Sequence, residues 1–197
     1  MRPNLLACVL CFAVASPCYA VESVYSRLNL DTDCTLLENS DDGGGSWKCK
    51  GYMDYPIWFS EGDARQSIFY GHLGEWHKET AWESFGPFNH YGGTVEWLIE
   101  DGKPFATISR FFIQNFEEDI AKNEGQTLVI SKVGQPGVGE ACVIAYVDAR
   151  ANKDPNALAR TVAAEVVNGF KCRADTPVYH GVEGPTAGPA SRTFGNN

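Results

Sequence analysis

The chain has 197 residues, 44% of them hydrophobic, and a formal net charge of −9. That length suits one domain with enough chain to bury a sizeable core. The acidic balance repels phosphate backbones and anionic lipid, which argues against nucleic acid or a charged membrane surface as partner.

Residues 1–20, "MRPNLLACVLCFAVASPCYA", read as a secretory signal peptide. Arg2 supplies a short positive region and Leu5 to Ser16 an apolar one. Cys18 and Ala20 then stand three and one before a cut between Ala20 and Val21. The apolar run is too short to span about 30 Å of hydrocarbon, which takes roughly 20 apolar residues. Leu5-Leu6-Ala7-Cys8 looks like a lipoprotein cleavage box, but cutting there would leave almost no apolar region ahead of it. The expectation is a periplasmic or secreted protein with no membrane insertion once the leader is removed.

Of the 7 cysteines, Cys8, Cys11 and Cys18 leave with the leader, and Cys34, Cys49, Cys142 and Cys172 remain. An even set in an exported chain points to disulfides, for which four cysteines allow three pairings. Cys34–Cys49 and Cys142–Cys172 are favoured because each closes two neighbouring elements. No two of the four stand in a C-x-x-C arrangement, so no metal site or redox pair is expected from them.

Short β-like runs follow. "CTLLE" (34–38) and "WKCKGY" (47–52) flank the polar, glycine-rich loop "NSDDGGGS", which lacks the spaced carboxylates and closing glutamate of a calcium loop. "PIWFSEG" (56–62) and "ARQSIFYGH" (64–72) form a second hairpin candidate. In "TVEWLIEDGKPFATISRFFI" (94–113), Val95, Trp97 and Ile99 alternate with Glu96, Leu98 and Glu100, and Asp101-Gly102 is a favoured type I′ turn pair. "QTLVISKV" (126–133) and "EACVIAYVDA" (140–149) flank "GQPGVG", which lacks the lysine-serine and helix of a phosphate loop.

"KDPNALARTVAAEVVNGFKC" predicts an amphipathic helix. Asp154 is its N-cap, Pro155 its first position, and Leu158, Val162, Val166 and Phe170 recur at helical spacing. A Cys142–Cys172 bond would pin this helix to the strand beside it. The expected fold class is α+β: an antiparallel sheet of hairpins with one C-terminal helix on a face and two disulfides. The expected organisation is a leader (1–20), a single domain (21–173) and a disordered tail (174–197) too poor in large apolar side chains to be ordered.

Residues 69–97 concentrate aromatic side chains and hold His72, His77 and His90. The candidate binding residues are Trp76, Trp82, His77, His90 and Tyr91, with glutamates nearby to supply hydrogen bonds. The competing reading is core packing, above all for Trp97, which alternation turns inward with Val95 and Ile99. His72 and His77 stand at neither helical nor strand spacing, so no metal is expected, and no cofactor motif is present. There is no G-x-S-x-G elbow and no free mature cysteine.

"SWKCKGYMDYPIW" and "ACVIAYVDARANKDPNALARTVAAEVVNGFKC" resemble segments of small exported bacterial proteins of unknown function. The resemblance implies an exported, disulfide-stapled α+β domain and transfers no catalytic residue. Together these features lead to the expectation of an exported, non-enzymatic domain that binds a protein, peptide or glycan in the envelope. The rivals are an extracytoplasmic hydrolase using Glu and His residues of the 69–97 region, and an envelope-structural or stress protein without a small ligand.

Overall fold

The computed structural model describes residues 21–40, 43–77, 81–115 and 124–194; the expected leader lies outside them. The strands are β1 (Glu22–Arg27), β2 (Cys34–Asn39), β3 (Gly45–Tyr52), β4 (Tyr55–Gly62), β5 (Arg65–Tyr70) and β6 (Trp82–Phe85). They continue with β7 (Asn89–Glu100), β8 (Lys103–Ile113), β9 (Gly125–Lys132), β10 (Cys142–Asp148), β11 (Val178–Tyr179) and β12 (Ala190–Thr193). The helices are α1 (Leu30–Asp33) and α2 (Pro155–Val166).

These elements make a six-stranded sheet in the order β1-β7-β8-β9-β10-β11, a four-stranded sheet β2-β3-β4-β5 and a two-stranded ladder β12-β6. Strand takes 52% of the described residues and helix 11%, so the class is mostly β and the α+β expectation is corrected. What overturns it is the second sheet. The face of the six-stranded sheet carrying Val95, Trp97, Phe111 and Ile113 packs on Ile57, Phe59, Ile68 and Tyr70 of the four-stranded one.

The opposite face of the large sheet is covered by α2. Asp154 caps this helix by accepting from the Ala157 N–H, and Pro155 opens it. The stripe it buries is Ala159, Val162 and Ala163, continued past its end by Val167 and Phe170, while Leu158 and Val166 are only half-buried. Small alanines on the contact line let the helix approach the sheet closely, which shifts the stripe from the expected one. Because both faces of β7 are covered, Leu98 and Glu96 are buried as deeply as Trp97. Alternation sets them on the face opposite Trp97 and is silent on what covers that face. Glu96 is accommodated by accepting from Ser23 Oγ at 2.6 Å and from Arg160 Nε at 2.6 Å.

Several local expectations match the structure. Asp101 and Gly102 both have positive φ, 50° and 74°, as the β7–β8 turn requires. Both disulfides pair as expected, Cys34–Cys49 across β2 and β3 and Cys142–Cys172 from β10 to the segment after α2.

The tail is corrected: residues 178–179 pair parallel to β10 and residues 190–193 pair with β6. Composition missed this because the anchors are polar. Asn152 Nδ2 donates to Val182 O, the Gly184 N–H to Asp148 Oδ2, and Tyr179 OH to Gly188 O. Arg192 completes the attachment, donating to Glu83 Oε1 at 2.8 Å and to the carbonyls of Cys172 and Asp175.

Candidate binding groove

The outer face of the four-stranded sheet follows from alternation on β3 and β4. Trp47, Cys49, Ile57 and Phe59 point to the core, which leaves Ser46, Lys48 and Lys50 on β3 and Pro56, Trp58 and Ser60 on β4 facing away from it. Register places Lys48 opposite Trp58 and Trp58 opposite Phe69, with Ser46, Ser60 and Ser67 forming the next row. The Lys48 ammonium lies 5.0 Å from the Trp58 ring centroid, and Trp58 Nε1 donates to Gly71 O at 2.9 Å.

Residues 71–77 rise beside this face as a wall. They are held by backbone bonds from His72 N–H to Gly134 O and from Gly74 N–H to Gly139 O. Gly139 has φ of 70°, and a Cβ there would come within 2.5 Å of Gly74 N, so this close approach requires glycine. Between wall and sheet runs a groove of about 680 Å³, bordered by Leu37, Ser46, Trp58, Ser60, Leu73 and His77. Toward the β3–β4 turn it continues past Trp58 and Leu73 to Lys48, Lys50, Met53, Asp54 and His72. Toward the other end it continues past Ser46 and Ser60 to Asn39, Glu61 and Trp82.

The sequence-derived candidates separate here. His77 and Trp82 line the groove. Trp76 backs it: its ring stacks on His77 at 3.4 Å between centroids, with Phe194 edge-on at 5.3 Å and Arg173 at 5.5 Å. His90 is exposed on β7 and stacks on Phe112 at 5.0 Å. Tyr91 packs against the inter-sheet core, with its buried hydroxyl unpartnered and its ionisation pushed up by burial. Neither belongs to the groove. Trp58 does, and its signal was its place between the inward-facing Ile57 and Phe59.

No family model, curated protein or solved structure matches the chain. What the site can do therefore rests on its own chemistry.

His77 is buried, with Nε2 2.6 Å from Ala141 O and Nδ1 3.3 Å from Gly74 O. Burial holds its imidazole below the ordinary range, and Arg173 adds to this, against the opposing pull of the two carbonyls. His72 Nε2 lies 3.9 Å from Asp54 Oδ2, outside hydrogen-bond reach. Of the two acids buried among the described residues of the 69–97 region, Glu96 is paired with Arg160 on the α2 side of the large sheet, and Glu83 faces inward beside Ile68, Phe111, Val143 and Tyr146 rather than into the groove. Burial pushes its carboxyl up to about 7, although the Val143 N–H at 2.6 Å and Arg192 pull it down. Glu83 and Arg192 thus clasp the interior, and a hydrolase built on Glu83 has no access to the groove. Among the described residues no three His, Cys, Asp or Glu side chains are grouped to hold a metal ion.

Proposed function

We propose that the chain is an exported, non-enzymatic binding domain of the bacterial envelope whose ligand, a protein, peptide or glycan, lies in the groove on the outer face of β3 and β4. The supporting observation is the groove itself: an open channel of about 680 Å³ in its central part, within the size range of ligand sites, with Trp58 and His77 among polar side chains. Export is supported by two disulfides, which persist in oxidising compartments. Among the described residues no helix is long and apolar enough to cross a membrane, which is compatible with release after leader cleavage.

The test is capture from envelope extract on immobilised protein starting at Val21. Wild type is compared with Ser60→Trp, which fills the groove floor from an outward strand position without entering the core. Partners identified by mass spectrometry with wild type and lost with Ser60→Trp are the expected result. Partners captured equally by both would remove the groove from the reading.

A further inference from the structure

The groove's shape and charge go further than a general binding surface. It runs along the strands: Ser46, Lys48 and Lys50, alternate residues of β3, border its successive parts. β3 has 8 residues, a length of roughly 27 Å in extended chain. Lys48, Lys50 and His72 stand at one end with Asp54 as the acid there, whereas Glu38 and Glu61 stand at the other. In a chain of net charge −9, two exposed lysines side by side on one strand face are a local reversal of sign. Beside them Met53 is 77% exposed, an apolar contact offered next to the positive end.

At Trp58, Phe69 and Trp76 the aromatic geometry disfavours sugar. Stacking on a sugar ring requires an open aromatic face, and Lys48 lies over the Trp58 ring at 5.0 Å. Phe69, the next residue in that row, is buried, with the His77 ring edge-on at 5.2 Å. Trp76 is surrounded by His77, Arg173 and Phe194.

On the reading of the groove given above, we infer that its ligand is an extended peptide segment, acidic where it meets Lys48 and Lys50 and neutral or basic toward Glu38 and Glu61. The strand-parallel groove takes an extended backbone, and the charge gradient sets its direction.

A random heptapeptide display library, panned on immobilised protein starting at Val21, tests this. The enriched peptides should carry Asp or Glu clustered toward one end. Synthetic copies should bind at least tenfold more weakly to Lys48→Glu/Lys50→Glu and to Ser60→Trp, and more weakly as salt is raised. Both lysines are exposed, so the charge reversal leaves the core intact. Enrichment without acidic bias, or peptides indifferent to the charge reversal, overturns the peptide assignment. So does an oligosaccharide array bound in a Ser60→Trp-sensitive manner, although the groove reading then stands. Peptides that bind Ser60→Trp as well as wild type overturn the groove reading itself.

Discussion

Replacing Arg192 with methionine removes the guanidinium that donates to Glu83 Oε1 at 2.8 Å and leaves a 4% exposed carboxylate with the Val143 N–H as its remaining donor. Removing one partner of a buried ion pair costs about 3–5 kcal/mol where the other charge stays desolvated, and less where that group takes up a proton instead. The loss should depend on pH. In the wild type, burial raises the Glu83 carboxyl from 4.5 to about 7. Between these values the folded chain holds a proton that the unfolded chain has released, so this group's contribution to stability falls as pH rises through the window and levels off above it. Without Arg192 the downward pull on Glu83 weakens and the carboxyl stays neutral to higher pH. Arg192→Met should therefore lose roughly 1–2 kcal/mol at pH 5, where only hydrogen bonds are missing, and up to about 1.4 kcal/mol more at pH 8, where the wild type has released the Glu83 proton and the variant has not. Urea unfolding of protein starting at Val21, at both pH values, measures this. Adding Glu83→Gln to Arg192→Met should recover part of the loss at pH 8. An equal loss at both pH values would refute the charge argument, and a loss under about 1 kcal/mol at pH 8 would show that the clasp is not a buried pair at all.

Thr107 is fully buried between the sheets with its hydroxyl unpartnered, so Thr107→Val should raise stability by about 1 kcal/mol in urea unfolding. Trp97 is fully buried, packs edge-on against Tyr70 at 5.7 Å and donates to Ser26 Oγ, so Trp97→Ala should cost about 3–5 kcal/mol. Replacing Cys142 and Cys172 by serine releases a cross-link of sequence separation 30 and should cost about 3.5 kcal/mol by the chain-entropy model. Deleting residues 174–197 should lower the thermal midpoint and speed proteolysis, since it removes β11, β12 and Arg192; a dispensable tail would leave both unchanged.

What was legible in the sequence was local. Asp101-Gly102 announced its turn, Asp154-Pro155 its helix start, and the spacing of four cysteines their pairing, because each depends on neighbours along the chain. Alternation on 95–99 correctly placed Trp97 inside, but it describes one face and says nothing of what covers the other. On that other face Leu98 and Glu96 are buried because α2, with its Arg160, lies over them. The second sheet was missed because "CTLLE", "WKCKGY" and "PIWFSEG" read as strands without revealing which layer they join. The tail was missed because polar contacts hold it, from Asn152, Asp148, Tyr179 and Arg192 as well as strand pairing, and composition weighs only apolar bulk. In the groove, aromatic density pointed to residues 69–97, while Trp58 stood in the preceding hairpin and entered only through cross-strand register.

Strand order also has a consequence for the timing of assembly. The ladder β2-β3-β4-β5 joins consecutive segments, so it can form, with its Cys34–Cys49 link, as soon as the first third of the chain is free. β1 cannot: its partner Ile99 for Glu22 lies far downstream. β6 waits longer still, until Ala190–Thr193 arrive to pair with it. Such non-local pairings slow folding, because long loops must close before their contacts repay the lost entropy. Emerging N-terminus first, the polypeptide therefore keeps β6 and the outer edge of β10 unpaired until residues 178–193 are available. A chain delivered through a narrow channel would build both main sheets on the far side first and seal these last two edges only when residues 178–193 follow.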